Sequence, residues 1–226
     1  MPKKNNEILN LGLLGANIQH TQSPAIYQKL LDQKFHYHII DISNSDKLPS
    51  LESIFEKYQL DGLSITSPFK RSFTKAINQS SINCVKQVDG KIQATSTDYS
   101  AMKKLLETKY RPRQIVILGD GAMAILLKQI CQELKISYLE FSRKQNGEIN
   151  KLDLSALEAG SLVINSCSRA FVFEGKLSKS SIFWDLNYHF LPHIEYFSKN
   201  PNWTYHDGME VLELQCQLSL KFWDLS

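Results

Sequence analysis

A chain of 226 residues with 42% hydrophobic and 22% charged residues has the composition of a globular protein with a core, which excludes a disordered chain. The net charge of +3 is too small to argue for a nucleic-acid partner, and no stretch approaches the roughly 18 apolar residues of a membrane span. The four cysteines and six histidines lack metal-ligand spacing, and the N-terminus lacks a signal-peptide pattern, so we expect a cytoplasmic protein without a metal site.

Strands and helices alternate through the first half of the chain. In chain order, the predicted elements are a strand at 8–15, a helix at 23–34, a strand at 35–42, a helix at 48–60, a strand at 61–66, a hairpin at 82–97 and a helix at 98–110. Ser23 is the expected N-cap of the first helix, with Pro24 in its first turn, and Asp89-Gly90 is the expected hairpin turn. The alternation predicts a parallel sheet that becomes mixed at the hairpin.

A second series of strands and helices begins after residues 111–113. The predicted elements are a strand, a glycine turn and a helix within 114–134, strands at 136–144, 161–168 and 181–188, and a C-terminal helix at 208–223. The sequence therefore predicts two α/β domains, the first with a mixed or parallel sheet and the second Rossmann-like, with a boundary near Tyr110 to Arg113.

The segment GLSITSPFKRSF at 62–73 takes an apolar strand directly into Pro68 and then Lys70. Strands of open α/β sheets end in this way where their carboxyl ends face a ligand crevice, which would place Lys70 in a binding site. The alternative is a solvated loop cation, the more common situation for a lysine at the start of a loop.

A glycine-rich turn follows the first strand of the second half. Gly119, Gly121 and Ala124 form the pattern G-x-G-x-x-A between a predicted strand and a predicted helix. The glycines allow a tight turn and a close approach of a pyrophosphate, and the helix N-terminus offers free N–H groups to the anion. The pattern favours a dinucleotide site over a plain strand–helix turn.

The end of the next strand indicates which dinucleotide is bound. An acidic residue there would bind the ribose 2′-hydroxyl of NAD, whereas Ser142, Arg143 and Lys144 suit the 2′-phosphate of NADP. Glu140 is the counter-argument, and we place it inside the strand rather than at its tip. The expected cofactor is therefore NADP.

The order of these motifs resembles that of the shikimate dehydrogenase family along nearly the whole chain. GLSITSPFK is similar to the family's G-x-N-V-T-x-P-x-K, INCV to A-x-N-T-V, and ATSTD to G-x-N-T-D. VINSCS is similar to I-N-A-T-P, FWDLNY to D-x-x-Y, and GMEVLELQ to G-x-x-M-L-x-x-Q. The resemblance implies NADP-dependent interconversion of 3-dehydroshikimate and shikimate, a step in aromatic amino acid biosynthesis, with Lys70 and Asp98 as the catalytic pair.

The resemblance also implies the remaining site residues and the division of the chain. The substrate-binding residues it implies are Thr21, Ser23, Thr66, Asn83, Tyr188 and Gln215. The cofactor-binding residues are Gly119, Gly121, Ala122, Ala124, Ser142, Arg143, Lys144 and Asn165. Because the helix that carries Gln215 must return to Lys70, we expect a substrate domain of residues 1–101 plus 206–226 and an NADP domain of residues 102–205, with the active site between them.

Several functions remain open at this stage because the chain departs from the family pattern, for example at Ser64 and Ser96. A quinate or related hydroxy-acid dehydrogenase would share the same chemistry, and a non-catalytic relative would bind ligands without turning them over. A methylenetetrahydrofolate dehydrogenase has a similar architecture but does not explain Asn83, Asp98 and Gln215 together. We expect a small-molecule substrate, and neither a nucleic-acid nor a membrane partner.

Overall fold

The computed structural model describes residues 8–19, 21–43, 47–74 and 80–226. The chain forms two compact units, Met1–Ala101 with Leu212–Ser226, and Met102–Val211. The predicted domains are a substrate domain of residues 1–101 with 206–226 and an NADP domain of residues 102–205. Because this division also assigns a ligand to each domain, it stays a prediction. Residues 1–7, part of the segment in which no signal peptide is expected, lie outside the described residues.

A five-stranded mixed sheet in the order β2-β1-β3-β4-β5 forms the first unit. Its strands are β1 (Leu9–Gly15), β2 (Phe35–Asp41), β3 (Gly62–Ile65), β4 (Cys84–Val88) and β5 (Lys91–Thr95). β1 pairs in parallel with β2 and β3, whereas β4 is antiparallel to both of its neighbours. The hairpin turn is formed by Asp89 and Gly90, both with positive φ, as expected for a two-residue turn that matches the strand twist.

The α-helices of the N-terminal part of the first unit are α1 (Ser23–Leu30), α2 (Leu51–Tyr58) and the start of α3 (Thr97–Leu105). Ser50 caps α2 by accepting a hydrogen bond from the Ser53 N–H at 3.2 Å. The expectation that Ser23 caps α1 is wrong by one position. The N-cap is Gln22, which makes no side-chain cap bond, and Ser23 is the first helical residue.

A parallel five-stranded sheet in the order β12-β11-β9-β6-β7 forms the second unit. Its strands are β6 (Gln114–Leu118), β7 (Ser137–Phe141), β9 (Leu162–Asn165), β11 (Ile182–Asp185) and β12 (Thr204–His206), and a separate ribbon pairs β8 (Asp153–Leu154) with β10 (Lys176–Leu177). β6 is central and lacks polar residues after Gln114, as is typical of a parallel strand buried on both faces. The strand order reverses between β6 and β9, which makes the carboxyl ends of these strands the switch point where ligands bind in open α/β sheets.

The helices of the second unit are α4 (Ala122–Leu134), α5 (Arg143–Asn146) and α6 (Leu191–Ser198), and the chain ends in α7 (Met209–Phe222). From Leu212 onward α7 belongs to the first unit. Trp223 anchors it there, because its Nε1 donates to the Val85 carbonyl at 2.9 Å and its indole lies against Gly62. A Cβ at Gly62 would lie 2.2 Å from the indole, so only glycine permits this contact.

Within the described ranges, every helix is too short or too polar to traverse a lipid bilayer.

Candidate active site

Polar side chains gather at one edge of the mixed sheet because of the strand directions. β1 and β3 end there, and β4, which runs the opposite way, begins there. The Ile65 N–H donates to the Asn83 carbonyl at 2.9 Å, and the Asn83 N–H donates to the Thr95 carbonyl at 3.2 Å. The segments that carry Lys70, Asn83 and Asp98 therefore leave the sheet from the same edge.

Lys70 and Asp98 form a close ion pair at this edge. The distance from Lys70 Nζ to Asp98 Oδ2 is 2.7 Å, and the two side chains are only 12% and 9% exposed. Phe69 is buried in the core beside Lys70, and the Lys70 carbonyl accepts a hydrogen bond from the Ile82 N–H at 2.9 Å. The backbone of Lys70 is thus fixed on two sides, so Lys70 is not a solvated loop cation.

Asn83 fixes the backbone that carries Asp98. Its Oδ1 accepts hydrogen bonds from the N–H groups of Thr97 at 2.7 Å and Asp98 at 3.3 Å, the first two residues of α3. These are N–H groups that a helix cannot satisfy internally. Asn83 therefore acts as a cap for α3 and orients the residue that pairs with Lys70.

Gln215 reaches the same cluster from α7, across 132 positions of sequence. Asn83 Nδ2 donates to Gln215 Oε1 at 3.1 Å and to Thr97 Oγ1 at 2.9 Å. The sequence reasoning missed Thr97 and Ser219, whose hydroxyls lie 3.1 Å apart within this network. Ser219 follows Gln215 by four positions and so shares its helix face, a signal that could have found it.

Thr21 and Ser23 lie next to each other at the start of α1. The Thr21 hydroxyl donates to Ser23 Oγ at 3.3 Å. Asp41 at the end of β2 holds the preceding loop, because its carboxylate accepts hydrogen bonds from the Asn17 N–H at 2.8 Å and the Ile18 N–H at 3.2 Å. Sequence reasoning missed Asp41. Thr66 follows β3 directly, and its N–H donates to the Leu14 carbonyl at 2.8 Å.

The buried cysteines of the first unit are not nucleophiles. Burial raises the pKa of Cys84 to about 12 and that of Cys216 to about 12. Both thiols are therefore protonated at neutral pH, and a protonated thiol is a much poorer nucleophile than a thiolate. The other polar groups at this edge are the lysine, the carboxylate and the neutral groups around them.

The glycine turn of the second unit lies at the switch point between β6 and β9. Gly119 has a φ of +113°, and a Cβ there would lie 2.7 Å from Ser166 Oγ, so this position requires glycine. A Cβ at Gly121 would meet no atom within 4 Å, which leaves open space beside the backbone at the start of α4. Ala122 is the first residue of α4, and Ala124 is fully buried. An open backbone at the N-terminus of a 13-residue helix fits a pyrophosphate.

Arg143 and Lys144 follow the end of β7 and begin α5, whereas the sequence placed them at the tip of a strand at 136–144. Arg143 and Lys144 are exposed, whereas Ser142 is buried and caps the short α5 by accepting from the Gln145 N–H at 3.3 Å. Glu140 lies inside β7, and its carboxylate accepts hydrogen bonds from Lys128 Nζ at 2.9 and 3.0 Å. This carboxylate is therefore already neutralised by an ion pair, which favours an anionic group beside Arg143.

Asn165 and Tyr188 also lie in the second unit. Asn165 is fully buried, and its Nδ2 donates to Asp185 Oδ1 at 2.9 Å, so its side chain supports the backbone after β9. Tyr188 is half-buried, and its carbonyl accepts from Arg169 Nη1 at 2.8 Å. The other predicted substrate-binding residues are in the first unit. No group of His, Cys, Asp or Glu among the described residues could hold a metal ion.

The chain is similar to proteins described as shikimate dehydrogenases. The profile of the shikimate dehydrogenase substrate binding domain matches residues 13–86. The shikimate dehydrogenase (NADP(+)) of Buchnera aphidicola subsp. Schizaphis graminum is 26% identical, in an alignment that covers 96% of this chain and 92% of that protein. The same enzyme of Caldicellulosiruptor bescii is 27% identical, in an alignment that covers 50% of this chain and 45% of that protein, less than half of its length.

Solved structures agree with these relatives. Shikimate dehydrogenase 1 from Peptoclostridium difficile superimposes with a TM-score of 0.73 at 17% identity, covering 96% of this chain and 92% of that one. Shikimate 5-dehydrogenase from Thermus thermophilus, solved in complex with NADP(H) and shikimate, gives a TM-score of 0.72 at 19% identity and covers 96% of this chain and 93% of that one. The predicted α/β fold class is confirmed by these likenesses.

Proposed function

We propose that the chain is a member of the shikimate dehydrogenase family and an NADP-dependent oxidoreductase that interconverts 3-dehydroshikimate and shikimate. The observation that carries the proposal is the Lys70–Asp98 ion pair, which is nearly buried and joined through Asn83 to Gln215. These four residues bring a cation, a carboxylate and two amide groups together at one edge of the sheet. A ring with several hydroxyl groups needs hydrogen-bonding partners of this kind.

Lys70 neutralises the negative charge that develops on the substrate oxygen. A ketone that becomes an alcohol needs a proton or a cation at hydrogen-bond distance from its oxygen. The Lys70 ammonium supplies both, and Asp98, 2.7 Å from it, holds it in place and accepts hydrogen bonds from ring hydroxyls. In the oxidative direction the same pair receives the proton that the alcohol loses.

The neutral polar residues of the first unit orient the ring. The adjacent hydroxyls of Thr21 and Ser23 suit the substrate carboxylate, and Thr66 and Gln215 suit the ring hydroxyls. Tyr188 is proposed to act near the carboxylate. Such groups discriminate strongly among substrates, because a buried donor or acceptor left without a partner costs about 1–3 kcal/mol.

NADPH, when bound, supplies the hydride that reduces the ring carbonyl. The open backbone at Gly121 and the N-terminus of α4 would receive its pyrophosphate. The Arg143 guanidinium, with its planar fork of donors, would bind the 2′-phosphate together with Lys144. The similarity to shikimate dehydrogenases (NADP(+)) supports this choice, and so does the Lys128–Glu140 ion pair.

The experiment that tests the proposal is spectroscopic detection of NADPH after purified protein is mixed with shikimate and NADP. Parallel reactions contain quinate in place of shikimate, or NAD in place of NADP. We expect turnover with shikimate and NADP. Turnover with quinate alone would make the protein a quinate dehydrogenase, and intact NADP binding without turnover of either alcohol would make it a non-catalytic relative.

A further inference from the structure

Asp185, at the carboxyl end of β11, is a fully buried carboxylate with hydrogen bonds to both of its oxygens. Asp185 Oδ1 accepts from Asn165 Nδ2 at 2.9 Å, and from the N–H and Nδ2 of Asn187 at 3.0 and 2.9 Å. Asp185 Oδ2 accepts from His193 and, at 3.4 Å, from the Tyr205 hydroxyl. A buried charge is tolerated only when it is hydrogen-bonded in this way.

His193 is held in a single tautomer by its two neighbours. Its Nε2 accepts a hydrogen bond from the Phe173 N–H at 2.8 Å, so the ring proton is on Nδ1 and is donated to Asp185. Both His193 and Asp185 are completely buried. The hydrogen bonds to Oδ2 therefore fix the orientation of the Asp185 carboxylate, and Oδ1 points toward Asn165 and Asn187.

The two asparagines clamp the peptide backbone at Cys167 from both sides. Asn165 Oδ1 accepts from the Cys167 N–H at 3.1 Å, and Asn187 Nδ2 donates to the Cys167 carbonyl at 3.1 Å. The clamped segment faces the glycine turn. A Cβ at Gly119 would lie 2.7 Å from Ser166 Oγ and 3.2 Å from Cys167 Sγ.

We propose that Asn187, oriented by Asp185, is a positioning residue of the dinucleotide site, because it fixes the segment at residues 165–167 against the glycine turn. This inference rests on the proposed function, since it takes the glycine turn to be where NADP binds. Asn187 acts on the glycine turn through Cys167, so its removal should weaken NADP without removing any proposed cofactor contact.

The test compares Asn187→Ala with Tyr205→Phe, a matched control that also removes a hydrogen bond to Asp185 but leaves the clamp intact. Asn187→Ser serves as a second variant at the same position. Two quantities are measured for each protein: the dissociation constant of NADP by titration, and the alkylation rate of Cys167 by a maleimide without cofactor. Cys167 is half-buried and the other three cysteines are buried, so it is the thiol that reports on the clamp.

We expect Asn187→Ala to weaken NADP binding roughly five- to tenfold, the loss that one or two hydrogen bonds would cause. Alkylation of Cys167 should become faster, and Tyr205→Phe should change neither quantity. Unchanged NADP affinity in Asn187→Ala and Asn187→Ser, with normal binding by the parent protein, would overturn the positioning role alone. Equal weakening in Tyr205→Phe would also overturn it, and failure of the parent protein to bind NADP would overturn the proposed function as well.

Discussion

Replacement of Lys70 by alanine removes the ammonium that is 2.7 Å from Asp98 and leaves the backbone supports of that position intact. Loss of one positioned acid–base group typically lowers the rate by a factor of about 10²–10⁴, which corresponds to about 3–5 kcal/mol of transition-state stabilisation. Because Phe69 and the hydrogen bond to Ile82 do not depend on the Lys70 side chain, we expect a folded protein. The affinity for NADP should also survive, since Gly119, Gly121 and Arg143 are in the other unit.

The assay is steady-state turnover of shikimate at saturating NADP, with melting temperature and NADP titration as controls. Lys86→Ala is a matched variant, because Lys86 Nζ also lies 2.7 Å from an aspartate, Asp224, but that carboxylate is 78% exposed. Lys86→Ala should retain normal turnover. Asp98→Asn should lower turnover to a similar degree as Lys70→Ala, and the double variant should be little worse than either, since two groups that act as a unit are not additive.

Near-normal turnover in Lys70→Ala would refute this reasoning, and so would full additivity of the two single variants. A comparable loss in Lys86→Ala would show that the effect is not specific to Lys70. In each case the Lys70–Asp98 pair would no longer explain the chemistry.

Three further predictions concern the cofactor turn and the C-terminal helix. Arg143→Ala should weaken NADP by roughly 10–100-fold through loss of a charge-assisted hydrogen bond, with little change for NAD, as measured by titration of both cofactors. Gly121→Ala should keep the parent melting temperature but lose NADP binding. Gly119→Ala should lower both the melting temperature and the NADP affinity, because Gly119, unlike Gly121, has a positive φ and crowded surroundings. Trp223→Ala should lower the free energy of unfolding by about 3–5 kcal/mol, because it leaves a cavity where the indole packs against Gly62. Denaturant titration measures this loss.

The elements that the sequence predicts well are those with an unbroken periodic pattern. β6 is a continuous apolar run that begins at Gln114, and α4 follows the glycine turn and ends at Leu134, which are the outer bounds predicted for this strand, turn and helix together. β12 was missed because its three residues, Thr204–His206, form an edge strand without an apolar run. The four-residue helix α5 was missed because it depends on the cap at Ser142 rather than on periodicity.

The site was only partly predictable, because side-chain partners are set by tertiary packing. The sequence placed Lys70 and Asp98 together only through family resemblance, and their roles stay a prediction. The substrate-binding role of Asn83 stays a prediction, and its amide hydrogen-bonds with Thr97, Asp98 and Gln215, partners that only the fold brings together. The placement of Glu140 inside β7 is confirmed, since Leu118 pairs with the next residue, Phe141.

The most direct test of hydride transfer uses NADPH that carries deuterium at the transferable position, mixed with 3-dehydroshikimate and the purified protein. Mass spectrometry of the isolated product then reports whether the label has moved. We predict shikimate that contains one deuterium per molecule, formed by the parent protein and strongly reduced in Lys70→Ala. Recovery of unlabelled 3-dehydroshikimate, although both ligands bind, would contradict the proposed activity and leave a binding protein built on the dehydrogenase fold.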